Sequence, residues 1–193
     1  MPLTQNIFTF NNLSSFPSLY HAVSTVQSGS MKDNNNINFK NIQKFLETIN
    51  IKKNGIVLGE QVHGNTIAYV TDVRPRVIPG TDGLLTIKSN CFLGILTADC
   101  VPLLFYDKNK KIFGAVHAGY KGLSKQIIKH IIRDFQKLGC NIKDIIVGIG
   151  PSIGVCCYDV AKDRIELFQR IFPDYKDIYK KRGEKYFLNL KQI

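Results

Sequence analysis

Two histidines and one cysteine sit in three separate motifs with small residues beside them: His63 in Gln61-Val62-His63-Gly64, Cys100 in Thr97-Ala98-Asp99-Cys100, and His117 in His117-Ala118-Gly119. Two imidazoles and a thiolate suit a tetrahedral zinc ion. Three protein ligands leave the fourth position open to water or substrate, which marks a catalytic rather than a structural site. The motifs lie too far apart along the chain for a zinc-finger spacing. If the trio shares one ion, the fold must carry three distant segments to one point, and most ways of packing this chain fail that demand. Taken singly, each residue has an ordinary reading: a Cys is often a small buried hydrophobe, and a lone His a satisfied core or surface group. Spacing by itself leaves both readings open.

The hydrophobic pattern around these motifs predicts layers. Residues 28–38 read as a polar loop. Residues 39–49 read as a helix with Phe39, Ile42, Phe45, Leu46 and Ile49 on one face. Residues 56–70 read as two strands joined through the Gln61–Gly64 segment, and residues 74–80, with two prolines, as a loop. Short apolar strands are predicted over 84–87, 92–96, 103–106 and 112–116, with a hairpin turn at 107–110 between the last two. Leu123, Ile127, Ile128, Ile131, Ile132, Phe135 and Leu138 spell one helix that Gly139 stops. A buried strand over 144–149 and further helix follow. The order implies an α+β (mixed α/β) fold: a single layered domain over 1–193, with central mixed sheets flanked by helices. All three candidate ligands fall at strand ends, where loops of a rigid sheet present functional groups.

Composition narrows the classes. A chain of 193 residues can bury one full hydrophobic core. No apolar run approaches the roughly 20 residues of a membrane helix, and residues 1–6 have neither the basic nor the apolar region of a secretory signal. Five cysteines are an odd number for a disulfide framework. The adjacent pair Cys156-Cys157 would bridge only with strain and reads as ordinary packing behind a glycine turn. All five therefore read as reduced thiols in a cytoplasmic protein. The net charge of +11 permits attraction to anions. Its densest run, 176–185, is interrupted by Asp177 and Glu184 and lacks the aromatic interleaving of a nucleic-acid module. The charge reads as solvated surface, so neither nucleic acid nor a membrane is an expected partner. The oligomeric state is left open.

Other residues carry weaker signals. Asp99 suits a proton carrier, an orienting carboxylate or a turn cap. Asp82, in Thr81-Asp82-Gly83, reads first as a turn residue and second as a ligand contact. The glycine-rich stretch 148–154 could accept a phosphate on backbone N–H groups, with a tight structural turn as its default. His130 falls on the polar side of its helix, and His21 reads as a core-edge residue.

Five motifs occur in order: Gln61-Val62-His63-Gly64, Thr81-Asp82-Gly83, Thr97-Ala98-Asp99-Cys100-Val101-Pro102, His117-Ala118-Gly119-Tyr120-Lys121-Gly122, and Gly150-Pro151-Ser152-Ile153-Gly154-Val155-Cys156-Cys157-Tyr158-Asp159-Val160. The set resembles the multicopper polyphenol oxidase (laccase-like) family, also described as purine nucleoside phosphorylases and including the bacterial peptidoglycan editing factor. The resemblance runs from about residue 23 to residue 190. It implies a layered α/β fold with zinc at His63, Cys100 and His117, copper being the lesser alternative. It also implies phosphorolysis of adenosine, inosine and methylthioadenosine, and deamination of adenosine. On this reading Cys100, His63, His117 and Asp99 are catalytic. Gln61, Asp82 and Lys121 contact the small-molecule nucleoside and phosphate.

The same three residues would also serve a hydrolase that edits misincorporated amino acids in peptidoglycan precursors, with Cys100 as nucleophile. A polyphenol oxidase (laccase) is a third reading, since a His₂Cys set can hold copper. Four histidines and two methionines are few for its trinuclear cluster, however. An inactive truncated relative is a fourth. Departures from the family pattern are informative. Ser24-Thr25-Val26 stands where the family carries Ser-Thr-Arg. Tyr120-Lys121 stands where it carries Trp-Arg, which keeps the charge but loses bidentate geometry. The family normally continues with a segment holding a Cys-Thr pair and a Tyr-Arg-Arg stretch, which these residues lack. Without it, an open sheet edge is expected.

Overall fold

A computed structural model of the chain describes residues 7–34, 36–51 and 56–193. Residues 1–6, expected to carry no secretory signal, lie outside the described residues. The chain begins with β1 (Ile7–Phe8), α1 (Asn11–Ser14), β2 (Val23–Ser24), β3 (Lys32–Asp33), β4 (Asn36–Ile37) and α2 (Phe39–Thr48). It continues with β5 (Ile56–Gly59), β6 (Ile67–Tyr69), β7 (Arg76–Ile78), β8 (Gly83–Thr86), β9 (Phe92–Gly94), β10 (Val101–Asp107) and β11 (Phe113–Ala118). Then come α3 (Tyr120–Ser124), α4 (Ile127–Lys137), β12 (Ile145–Ile149), β13 (Asp159–Val160), α5 (Lys162–Ile171), β14 (Tyr179–Arg182) and β15 (Lys185–Leu188).

The largest sheet has the order β12-β10-β11-β8-β6, antiparallel except where β6 runs parallel to β8. A parallel sheet, β7-β5-β9, and an antiparallel one, β13-β15-β14, complete the framework with two small two-stranded sheets, β1-β2 and β3-β4. This is a mixed α/β fold, as the patterning predicts.

Strand β10 lies between β12 and β11 and is buried on both faces, so it reads as a continuous apolar run rather than an alternation. Val101, Leu103 and Phe105 face Leu123, Ile127, Ile131 and Phe135 of the helices. Leu104 and Tyr106 face Phe10 and Leu13 on the other side. Strand β5 divides its side chains likewise: Val57 packs with Val70, Leu84 and Cys91, and Leu58 with Ile42 and Leu46 of α2. The side chain of Asn38 caps α2 by accepting from the Asn41 N–H at 3.0 Å.

The single helix expected over 123–138 is two. Gln126 adopts a left-handed conformation (φ 59°, ψ 40°) between α3 and α4. The break lets α3 start directly after β11 while α4 lays Ile127, Ile131 and Phe135 on the sheet. Gly139 ends α4 at φ 77°, with Gly139 N–H donating to Gln136 and Cys140 N–H to Phe135, the hydrogen-bond pattern of a Schellman stop.

Other expectations are corrected. The 28–38 loop contains the β3–β4 hairpin, and the 74–80 loop contains β7, which pairs in parallel with β5. Its two prolines flank the strand instead of interrupting it. The strand predicted over 144–149 is an edge strand, not a buried one: β12 leaves Ile149 51% exposed, and Asn12 donates to its Val147 carbonyl at 2.9 Å. Among the described residues no helix is long and apolar enough to cross a membrane. All five cysteines are free thiols.

Candidate metal centre

The β10–β11 hairpin brings two of the three candidate ligands together. Its register pairs Val101 with Ala118 and Pro102 with His117, so Cys100, one residue before β10, lies beside the end of β11. His63 arrives from the other sheet, on the loop that follows β5. The ligand atoms of His63, Cys100 and His117 all lie within 4.8 Å of one another. The two imidazoles meet edge to face, with ring centroids 4.7 Å apart. His117 is buried, Cys100 half-buried and His63 exposed, so the cluster opens to solvent on the His63 side.

Asp82 holds this arrangement from behind. Its carboxylate is fully buried and accepts the backbone N–H groups of Val62 (3.2 Å), His63 (3.0 Å) and Gly64 (2.7 Å). Three consecutive amides converging on one carboxylate form an anion nest. That nest keeps His63 at φ 58°, a conformation that costs a non-glycine residue about 1–2 kcal/mol. The same carboxylate lies 2.8 Å from His117 Nδ1. Facing an acceptor, Nδ1 carries the proton, which leaves Nε2 as the electron-pair donor toward the cluster. The backbone repeats the connection, since His117 N–H donates to the Asp82 carbonyl at 2.8 Å.

The electrostatics follow. Burial pulls the His117 pKa down, but hydrogen bonds with Asp82 and Cys100 outweigh it and raise the value to about 9. Burial pushes Asp82 up, and its bonds to His117, Gly64 and Val62 outweigh that and hold it below the usual carboxylate value. His63 is lowered by burial and by the neighbouring His117, against the opposing pull of Asp82.

The donor set fits a metal ion, and Gly119 supplies an independent test. A Cβ at Gly119 would lie 2.9 Å from Cys100 Sγ and 3.0 Å from His63 Cδ2. The backbone here comes as close to the cluster as a bare glycine allows, so the three donors close on one space.

The remaining predicted residues fall in different places. Gln61 is a strut: its amide donates to the Leu96 carbonyl and accepts the Leu96 N–H, both at 2.7 Å, tying the His63 loop to the segment after β9. Asp82, expected as a substrate contact, is fully buried, and its carboxylate accepts from Val62, His63, Gly64 and His117. Asp99 exposes its side chain and accepts the Ile153 N–H through its carbonyl at 2.9 Å. Lys121 is exposed on the first turn of α3 and bears electrostatically on His63. The 148–154 stretch ends β12 and continues as irregular chain instead of the expected tight turn, which falls at 155–157, and its Gly150 and Ile153 N–H groups donate to the Pro102 and Asp99 carbonyls. His130 is half-buried near Asn65 rather than fully solvated, and His21 Nε2 accepts the Phe10 N–H at 3.0 Å at the core edge. Sequence reasoning missed Tyr158 and Arg164. The Arg164 guanidinium lies 4.0 Å from the Tyr120 ring centroid. It also bears on Tyr158, whose hydroxyl is pushed up by burial against the opposing pull of Arg164. No spacing signal links α5 to this site.

A mixed α/β framework that gathers two imidazoles and a thiolate at strand ends, open on one side, defines a protein able to hold a metal ion with a free coordination position. Residues 19–193 match the profile of the family described as multi-copper polyphenol oxidoreductase laccase, and the chain belongs to that family. It is 36% identical over 166 residues to purine nucleoside phosphorylase YlmD of Bacillus subtilis, covering 80% of this chain and 59% of that protein. It is 37% identical over 142 residues to purine nucleoside phosphorylase CA_C1699 of Clostridium acetobutylicum, covering 72% and 58%. The crystal structure of YlmD from Geobacillus stearothermophilus superposes with a TM-score of 0.79 at 29% identity, covering 84% of this chain and 66% of that one. The chain thus spans about three fifths of the length of the curated relatives it matches.

Proposed function

We propose that this chain carries the metal centre of a zinc-dependent purine nucleoside enzyme, acting by phosphorolysis of adenosine, inosine and methylthioadenosine and by deamination of adenosine. The observation that carries the reading is the convergence of His63, Cys100 and His117 within 4.8 Å around Gly119. The similarity to purine nucleoside phosphorylases supplies the nucleoside class. Nitrogen and sulfur donors with one open position favour zinc. Bound there, zinc would supply Lewis acidity and lower the pKa of a water.

The chain's own residues set the geometry. Asp82 fixes the His117 ring so that Nε2 faces the cluster, and it pins the His63 loop through three backbone N–H groups. Lys121, exposed beside His63, is placed to hold an incoming phosphate by charge. Asp99, whose side chain is exposed with no hydrogen-bond partner among the described residues, is free to accept or return a proton. Tyr120, next to Gly119 in the chain, and Tyr158 are half-buried against the hydrophobic core.

The test is direct. The chain is purified without chelator, and its metals are measured by plasma mass spectrometry beside His63→Ala and Cys100→Ala. Adenosine is then assayed for ammonia release and, with phosphate, for free adenine. Near-stoichiometric zinc that disappears in both variants, together with turnover, is expected. Copper with phenol oxidation would move the function to the oxidase its family is named for. A folded chain that takes up no metal would refute the reading.

A further inference from the structure

The adjacent thiols Cys156 and Cys157 have no part in the metal centre. The packing expected behind the glycine turn does not occur: both are exposed, whereas Cys91 and Cys140 are buried and Cys100 is half-buried. Their Sγ atoms lie 2.8 Å apart. The backbone sets this closeness. The N–H groups of Cys157 and Tyr158 both donate to the Gly154 carbonyl, at 3.0 and 3.1 Å, and fold residues 154–158 into a tight turn. The turn is anchored on both sides, by Ile153 bonded to the Asp99 carbonyl and by β13 paired with β15. Arg182 reaches over from β14, donating to the Cys156 carbonyl at 3.3 Å.

We propose that Cys156–Cys157 is a thiol–disulfide exchange site that closes to a vicinal disulfide by reducing a low-molecular-weight disulfide such as oxidised glutathione. One thiolate attacks the S–S bond of the oxidant, expelling one thiol and leaving a mixed disulfide. The neighbouring thiolate then attacks the protein sulfur of that mixed disulfide, forming the Sγ–Sγ bond and expelling the second thiol. The two cysteines give up two protons and two electrons, and the oxidant takes both and leaves as two thiols.

Contact between the sulfurs makes the second step intramolecular, so it outruns release or capture by another molecule. Access provides selectivity: exchange needs a thiol that the oxidant can reach, and Cys156 and Cys157 are both exposed, although the hydrogen bond with Cys156 raises the Cys157 thiol. Burial pushes the Cys91 thiol up, and burial together with the Asp107 carboxylate pushes Cys140 up to about 12. Adjacent cysteines bridge with strain, and strained bridges are the readily reduced kind, so the site reopens with excess thiol.

The experiment incubates the full, zinc-loaded chain with oxidised glutathione, quenches with acid and alkylates the remaining thiols for intact-mass and tryptic analysis. The expected product is lighter than the reduced chain by two hydrogen atoms. The peptide bearing Cys156 and Cys157 stays unalkylated, Cys91, Cys100 and Cys140 are alkylated, and dithiothreitol restores the starting mass. Cys157→Ser, which lacks the resolving thiol, is expected to accumulate one stable glutathione at Cys156. A stable glutathione adduct on the unsubstituted chain, a bridge to Cys100 or to a second chain, or five thiols that all remain alkylatable would each overturn the proposal.

Discussion

Replacing Asp82 with asparagine tests the architecture of the metal centre at one atom. The substitution keeps shape and removes charge. The native carboxylate accepts from Val62 and Gly64 through Oδ2, and from His63 and His117 through Oδ1. An asparagine oxygen can replace only one of these positions. Its NH₂ group must then face two donors in a site with no exposure. A buried donor left without an acceptor costs about 1–3 kcal/mol, so two cost about 2–6 kcal/mol. That is a large share of the roughly 5–15 kcal/mol stability of a typical domain.

Metal binding is expected to fall as well, because the partner that orients His117 is weakened; losing such a partner typically costs about 10–100-fold in affinity. Urea unfolding of metal-free protein, followed by circular dichroism, reads the first effect separately from metal binding. Zinc titration against a competing chelator reads the second. If metal-free Asp82→Asn unfolds at the wild-type midpoint and binds zinc equally well, the buried carboxylate does not organise this site.

Four further outcomes follow from the structure. His117 has a folded pKa of about 9 against 6.5 in the unfolded chain, so in metal-free protein its contribution to stability is fully present below pH 6.5 and is lost as pH rises through 9. Linkage puts the loss at up to about 3 kcal/mol, measurable by urea unfolding across that range. Since an ion must displace this proton, zinc affinity is expected to rise by at least about tenfold per pH unit as pH climbs toward 9, and a flat profile would contradict the assignment. Gly119→Ala has an allowed backbone (φ −81°) but places a methyl 2.9 Å from Cys100 Sγ. A loss of zinc affinity of at least about tenfold with little change in the apo unfolding midpoint is expected, since the ligand side chains yield more easily than the fold; unchanged zinc affinity would show that Gly119 does not bound the site. Gln126→Gly is expected to stabilise the chain by about 0.5–1 kcal/mol by relieving the left-handed position between α3 and α4. Thermal unfolding reads it, and destabilisation would show that the Gln126 side chain contributes more than its backbone costs.

Much of the centre was legible before any coordinates. The turn at 107–110 fixes the approximate register of β10 against β11, and that register alone sets Cys100 beside His117. His63 was different: its neighbours in space come from another sheet, and only its chemistry linked it to the other two. Asp82 reads first as a turn residue and second as a ligand contact, because Thr-Asp-Gly is turn composition. Its actual partners, the amides of Val62, His63 and Gly64, are backbone groups that every sequence possesses, so no pattern of side chains announces them. The same limit hid the break at Gln126, where the apolar period continues unbroken through a left-handed residue. It hid β7 too, whose partner β5 lies on the far side of the His63 loop.

The sequence by itself determined what depends on composition and local period: the mixed α/β class, the amphipathic helices, the Gly139 stop and the trio of donor types. Tertiary structure alone decided what depends on which distant backbones meet. It gave Asp82 and Gln61 the hydrogen bonds that brace the His63 loop, left Cys156 and Cys157 side by side at the surface, and set Gly119 against the three donors of the candidate metal centre. Local preferences are written in each residue's own dihedrals and apolar surface, whereas hydrogen bonds between far segments exist only once the whole chain has closed around its core.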